Sequence, residues 1–514
     1  MQTLIRHWKI AFFLFLFSVA THLPGITHPL LDFHSWAQTL RASVARNYFE
    51  SNMNLFAPQL DYDTTEVNKA PQLPLYSYLI AIGYKIFGEH DYLGRILAAF
   101  FAACSTVIFF AVLLEYTTES AAFLSALFYC LIPVRIYFLR AVMPESLALL
   151  FLLLSIYSLQ RWKRSGRFGW IICSSLFISG VILTKLPYWP FLLLPIYLLH
   201  DAKLNDAKLH DSKLNDSNSQ NSKQENFWSL FKRKEIYILV GLAVTLPAAW
   251  YAFVNFGSAR FQLFSSGLLS EVSPYQSWTR WDFWHRQFIS RFPEVATTYA
   301  GLILWILGAK ECFQKKQILW LWMLLGFGYI FLCGEYGYIH VYSWVPVALP
   351  IAAWMGEGLQ LIRTKLTPKN HAMANQTTAN HSTAKRTAVT LFFLFAVALH
   401  AGLRIRHWYS MDDETWIYDA QKIVWQVSAP TDRFYIDAFD QPYFLYHLRR
   451  KGNAGLLDPI DANFLEQARL KNYRFLFVPG PLGIAEKISP ETAPFLKLIY
   501  NHPQFKLYNI QTSK

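Results

Sequence analysis

The chain has 514 residues, of which 54% are hydrophobic and only 16% charged, and it carries a formal net charge of +13. The charges cluster in a few loops, which excludes the evenly charged surface of a soluble globular enzyme and makes a bilayer the solvent. Lys and Arg stand beside apolar segments, as the positive-inside rule requires, so the charge reads as membrane orientation and not as a nucleic-acid footprint.

A helix needs roughly 20 mostly apolar residues to cross the hydrocarbon. Eleven stretches qualify, near 10–26, 93–114, 120–138, 145–160, 169–184, 187–199, 236–256, 295–309, 317–333, 341–362 and 388–404. The first follows Arg6, His7 and Lys9 and ends in Leu23-Pro24-Gly25 with no small-residue cleavage site, so it reads as a retained signal anchor. Leu73 to Phe87 is apolar but only about four turns long. With Pro74 at its start and Lys85 inside, it reads as a helix lying in the outer interface.

Four basic loops, Arg161 to Arg167, 200–235, Lys310 to Lys316 and 363–386, fit in the cytoplasm if eleven crossings start from a cytoplasmic N-terminus. Two of them look disordered: 201–216 repeats Asp-Ala-Lys-Leu-Asn, and 369–386 is Asn, Thr, Ala and His without apolar period. The outer face then receives a long loop at 27–92, a junction near Lys185, a loop at 257–294 and everything from 406. Residues 1–405 read as an all-α polytopic membrane domain. Residues 406–514 read as a small extracytoplasmic α/β domain, with β-prone runs at 433–437, 473–478 and 505–509 between helix-like stretches at 413–427, 440–451 and 461–471. Cys104, Cys130, Cys173, Cys312 and Cys333 have no paired spacing, which indicates neither a disulfide framework nor a zinc site.

The residues that carry chemistry fall on the expected outer face. Asp32 follows the first crossing among apolar neighbours, a setting suited to a general base, although local spacing also reads it as the cap of a helix starting at Phe33. Glu145 opens the 145–160 crossing after Pro144, where an acid also suits a helix N-terminus, and Arg140 is close by. Lys185 ends a crossing, where lysines snorkel to headgroups or pair with a lipid-linked phosphate. His340-Val-Tyr342 opens the 341–362 stretch, where an interfacial aromatic belt is the plainer reading. Arg260, Arg280, Arg286 and Arg291 make 257–294 an anion-binding region, and the first loop supplies carboxylates.

In order along the chain stand Asp32, Lys69-Ala-Pro-Gln-Leu-Pro-Leu-Tyr76, Phe87-Gly88 followed by Arg95, Met143-Pro-Glu145, Thr184-Lys185 and His340-Val-Tyr342 with Pro346. That series resembles the C-type (GT-C) polyprenyl-phosphate-sugar-dependent glycosyltransferases, the bacterial relatives of protein O-mannosyltransferases and of the aminoarabinose transferase of lipid A. The resemblance implies an outward-facing active site in the plasma (inner) membrane, a polyprenyl-phosphate-linked sugar as donor, an acceptor lipid, glycan or protein, and inversion at the anomeric carbon. It also implies Asp32 as acceptor base, Glu145 as a second carboxylate, and Lys69, Lys185, Arg140, Arg260, His340 and Tyr342 around the donor phosphate. No cofactor is implied with certainty, and a divalent cation has a place in such chemistry. The mannosyltransferases carry Asp-Glu where this chain has Asp32-Phe33, and many relatives have Asp at the position of Glu145. A transporter or flippase for lipid-linked glycans is the competing class; it is expected to show repeated halves and mid-membrane charges, and the sequence has neither.

Overall fold

The computed structural model describes residues 6–62, 72–199, 234–256, 274–315, 317–367, 376–411, 415–438, 443–457, 460–480 and 488–511. The chain is mostly helical and divides into two compact units. One is Met1–Ile26, Pro71–Leu73 and Ile96–His407, and the other is Thr27–Ala70, Pro74–Arg95 and Trp408–Lys514.

The first unit is a multi-pass membrane domain. Among the described residues five helices are long and apolar enough to cross a bilayer: Asp91–Leu113, Gly169–Leu199, Lys234–Val254, Gln317–Ile339 and Asn380–Tyr409. The pair Trp281–Ala296 and Tyr299–Gln314, bent by 101°, makes a sixth. Other expected stretches form shorter helices, among them Trp8–His22 with 15 residues and Glu119–Leu131 with 13. The 120–138 stretch is broken because Ile132 precedes Pro133, is extended at φ −66°, ψ 125°, and lets Pro133 open the separate helix Pro133–Phe138.

The stretches expected at 169–184 and 187–199 form one run, interrupted at Lys185 (φ −152°, ψ 75°) before the 3₁₀ segment Leu186–Leu192. Gly334 (φ 46°, ψ −124°) breaks Gln317–Ile339 in the same way, in a conformation that suits glycine. The helices Tyr299–Lys315 and Ala348–Lys365 approach so closely at Gly308 and Gly358 that a Cβ at either position would overlap the backbone opposite. The buried Arg135 ties this interior together, donating to Ser18 Oγ (2.5 Å), Thr106 Oγ1 (2.8 Å) and the Ala102 carbonyl (3.2 Å).

Two expectations change in this unit. The stretch 369–386 is not structureless throughout, since Gln376–Ile405 is a single 30-residue helix. Its apolar part propagates back through an Ala-containing segment that holds no Gly or Pro. The 257–294 loop is helical from Pro274 on, and Arg291 is buried against the carbonyls of Gly337 (2.6 Å) and Ile339 (3.3 Å) instead of open to an anion. The repeat at 201–216 lies outside the described residues.

The second unit is an α/β domain. Strands β1 (Arg433–Ile436), β2 (Lys451–Ala454), β3 (Tyr473–Pro479), β4 (Leu496–His502) and β5 (Phe505–Ile510) lie in the order β2-β1-β3-β5-β4. β1 is parallel to β2 and β3, while β5 is antiparallel to β3 and β4. The two-residue period sends Phe434 and Ile436 into one core with Ile417, Val424 and Phe477, and Tyr435 into the other with Phe464, Leu476 and Tyr508.

The loop grouped by sequence with residues 1–405 belongs to this unit. Tyr62 bridges to Gly452 and donates to the Ala454 carbonyl at 2.7 Å, and Arg46 joins Asp61 (2.5 Å) and the Tyr446 carbonyl (3.0 Å). Chain order hides such pairing, because the partners stand nearly 400 residues apart. The helix Leu75–Phe87 packs on Ser35–Glu50, where Ser77 Oγ donates to the Arg41 carbonyl at 2.9 Å. At 13 residues it is ~20 Å long, shorter than the ~30 Å of hydrocarbon.

Candidate active site

Asp32 lies in the second unit, fully buried just before the helix Ser35–Glu50. The residue in the cap position is His34 (φ 61°), which leaves the Asp32 side chain to other work. Its Oδ1 accepts from Gln38 Nε2 at 2.7 Å and from Arg95 Nη2 at 2.8 Å. Arg95 also donates to the carbonyls of His28 (2.5 Å) and Pro29 (3.1 Å), so one guanidinium fixes both the carboxylate and the backbone leading to it. Both side chains are 0% exposed, an arrangement sustained only by close pairing and hydrogen bonds. Arg95 appeared in the sequence series without a role; Gln38, six residues from Asp32, gave no sequence signal.

Lys185 and Glu145 belong to the first unit. The helices Glu145–Ser165 and Gly169–Lys185 are joined by a short basic loop and run back to back, so the start of one meets the end of the other. Lys185 stands sixteen residues beyond Gly169, ~24 Å along the axis. It is therefore close to a full hydrocarbon thickness from the Arg161–Arg167 loop.

There Lys185 Nζ meets Glu145 Oε1 at 2.7 Å, with side-chain exposures of 7% and 0%. The lysine does not snorkel: burial turns it toward the carboxylate and places it 5.1 Å from the ring centre of Tyr342. Tyr342 is stacked on His340 (5.0 Å) and hydrogen-bonded to Tyr336 Oη (2.7 Å). Glu145 Oε2 and Tyr188 Oη are buried with no hydrogen-bond partner, which leaves polar capacity unused in this pocket. Tyr188 and Tyr336 were missed by sequence reasoning because a tyrosine near a membrane end reads as belt.

The structure brings Glu145, Lys185, His340 and Tyr342 together. Arg140 is fully buried, reaches the Gly25 carbonyl and lies over Tyr137 (5.0 Å), so it braces the turn after Trp8–His22. Lys69 and Arg260 lie outside the described residues. Among the described residues no three His, Cys, Asp or Glu side chains gather as metal ligands.

The fold is shared with membrane glycosyltransferases. The structure is similar to that of ArnT from Cupriavidus metallidurans bound to undecaprenyl phosphate, with a TM-score of 0.56 and 12% identity over 99% of this chain and 98% of that one. It is also similar to the Archaeoglobus fulgidus oligosaccharyltransferase tethered with an acceptor peptide, with a TM-score of 0.54 and 12% identity over 92% of this chain and 69% of that one. Likeness to the arabinofuranosyltransferase AftD from Mycobacteria has a TM-score of 0.52 at 12% identity, over 99% of this chain and 42% of that one. By sequence, the family described as dolichyl-phosphate-mannose-protein mannosyltransferase matches residues 69–213, the segment that holds Lys69, Arg140, Glu145 and Lys185. No curated protein matches by sequence.

Proposed function

We propose that this chain is a membrane glycosyltransferase that moves a sugar from a polyprenyl-phosphate-linked donor to an acceptor lipid, glycan or protein, with inversion, on the extracytoplasmic face of the plasma (inner) membrane. The observation that carries the reading is the buried Lys185–Glu145 pair beneath Tyr342, at the end of the bundle opposite the basic loop. A fold spanning 98% of a protein that binds undecaprenyl phosphate supports it. Nothing in these likenesses favours a transporter or flippase.

In this reaction Asp32 takes the proton of the acceptor hydroxyl or amine, whose heteroatom forms the new bond to the anomeric carbon. The bond from that carbon to the phosphate oxygen breaks, and polyprenyl phosphate leaves with the electron pair. Lys185 stabilises the charge that grows on the phosphate, as preorganised cations do in a water-poor site. Glu145 is the anion that Lys185 exchanges for the donor phosphate, and His340 and Tyr342 shape the wall beside it. Lys69 and Arg260 are further cations for the donor. Arg140 acts through the turn it braces. The topology proposed with this reading has a cytoplasmic N-terminus, a helix Leu75–Phe87 in the outer interface, and an outer C-terminal domain.

The test is transfer by the purified protein in nanodiscs, supplied with polyprenyl-phosphate sugars and scored for released polyprenyl phosphate. Alongside it, mass spectrometry of the glycoconjugates of a deletion strain and its parent is expected to show one sugar mass missing. Identical glycoconjugates together with no release from any lipid-phosphate sugar would overturn the reading.

A further inference from the structure

The far end of the first unit carries a feature that the proposed reaction does not use. A cavity of about 1010 Å³ opens there, lined by Arg6, Arg161, Arg164 and Arg167 together with Trp170 and the pair His7 and Glu119. Two of these basic groups have carboxylate partners: Arg164 Nη2 meets Glu115 Oε2 at 2.6 Å, and His7 Nδ1 lies 3.4 Å from Glu119 Oε1. Among the described residues Arg6, Arg161 and Arg167 make no ion pair. Arg161 lies 6.0 Å from the ring centre of Trp170, and its Nε is buried with no hydrogen-bond partner.

The positive-inside rule explains basic residues in a loop, but it needs neither a cavity nor a guanidinium nitrogen withdrawn from water and left unsatisfied. An anion with several oxygens answers both, since it meets more than one guanidinium at once. Close in sequence to these lining residues, Trp8 (58%), Phe12 (57%), Phe168 (43%) and Ile172 (36%) are exposed. A free phosphate has no use for such apolar flanks, whereas acyl chains do.

We propose that this cavity binds the phosphate headgroup of an anionic phospholipid, with the acyl chains along those exposed apolar side chains. Arg161 and Arg167 grip the phosphate oxygens, and Trp170 closes the wall behind Arg161. A basic pocket at the ends of membrane helices is a suitable headgroup site because attraction and apolar burial act together.

The test uses the whole protein in nanodiscs that contain either phosphatidylcholine alone or phosphatidylcholine with phosphatidylglycerol, read by native mass spectrometry of retained lipid. The parent is expected to keep phosphatidylglycerol selectively. Arg161→Gln with Arg167→Gln is expected to weaken that retention about thirtyfold. Arg161→Lys with Arg167→Lys keeps most of it and checks that the fold survives. Lys310→Gln with Lys365→Gln, basic positions outside the cavity, leaves it unchanged. Equal retention by the Gln pair and the parent overturns the proposal, as does equal loss in the control pair. Displacement of the lipid by millimolar inorganic phosphate would make this a free-anion site and overturn it too.

Discussion

Two of the buried ion pairs among the described residues, Asp32–Arg95 in the second unit and Lys185–Glu145 in the first, are built to opposite specifications. Around Asp32 and Arg95 the guanidinium serves the carboxylate and two backbone carbonyls, and Gln38 adds a further bond to the same carboxylate oxygen. Around Lys185 and Glu145 the two side chains meet at 2.7 Å, beside a carboxylate oxygen without a hydrogen-bond partner and a wall of aromatic rings. Arginine's planar fork holds geometry, whereas lysine is a point charge on a rotatable stem. In the proposed reaction the first pair therefore fixes the base, and the second keeps a cation that exchanges one anionic partner for another.

The largest effect separates charge from chemistry at the first pair. Asp32→Asn is expected to lower transfer by about 10²–10⁴-fold and, by stranding Arg95, to destabilise the unit by about 3–5 kcal/mol. Asp32→Leu with Arg95→Met removes both charges and recovers thermal stability without recovering turnover. Near-normal turnover of purified Asp32→Asn would remove Asp32 from the mechanism.

Next comes Lys185→Ala, expected to weaken donor binding by about 2–5 kcal/mol in a lipid-donor titration. Lys85→Ala, whose ammonium only rests over Phe49 at 4.8 Å, has little effect. Equal shifts would make Lys185 a structural lysine and end the contrast.

Glu145→Gln sharpens the contrast in the other direction. It removes the anion that competes with phosphate for Lys185, so donor KM falls a few-fold while stability drops by about 1–3 kcal/mol. A raised KM would show that Glu145 orients the lysine for binding instead of competing for it.

The smallest effect is on pH. Burial pushes His447 down to about 4 from an ordinary value of 6.5, against the opposing pull of Asp91 and the Leu30 carbonyl. Between pH 6.5 and 4 the unfolded chain takes up a proton that the folded unit refuses. Stability therefore falls as pH drops through that window, by at most ~1.4 kcal/mol per pH unit. Thermal unfolding from pH 7 to 4.5 reads this slope, and His447→Gln is expected to flatten it.

Much of this was legible in residue order, and for identifiable reasons. Runs with a two-residue period gave β1, β3 and β5, and stretches with a helical period gave Ile417–Val427, Tyr443–Leu448 and Ala462–Leu470. β2, Lys-Gly-Asn-Ala, has no such alternation and is a strand only because β1 lies beside it. Glu145, Lys185, His340 and Tyr342 were found because each sits where an apolar run starts, stops or breaks. Arg95 had no assigned role because its partner stands sixty-three residues away, a distance that no local period spans.

The approach of Gly308 to Gly358 carries a practical consequence. Any side chain added on either side of that crossing forces two backbones apart, whatever its polarity. A deep mutational scan scored on survival will therefore mark this seam as intolerant as the carboxylate proposed as the base, although no chemistry occurs there. Measuring protein abundance in parallel with growth tells the two apart: seam variants vanish from the membrane, whereas variants that lose only the reaction stay in it.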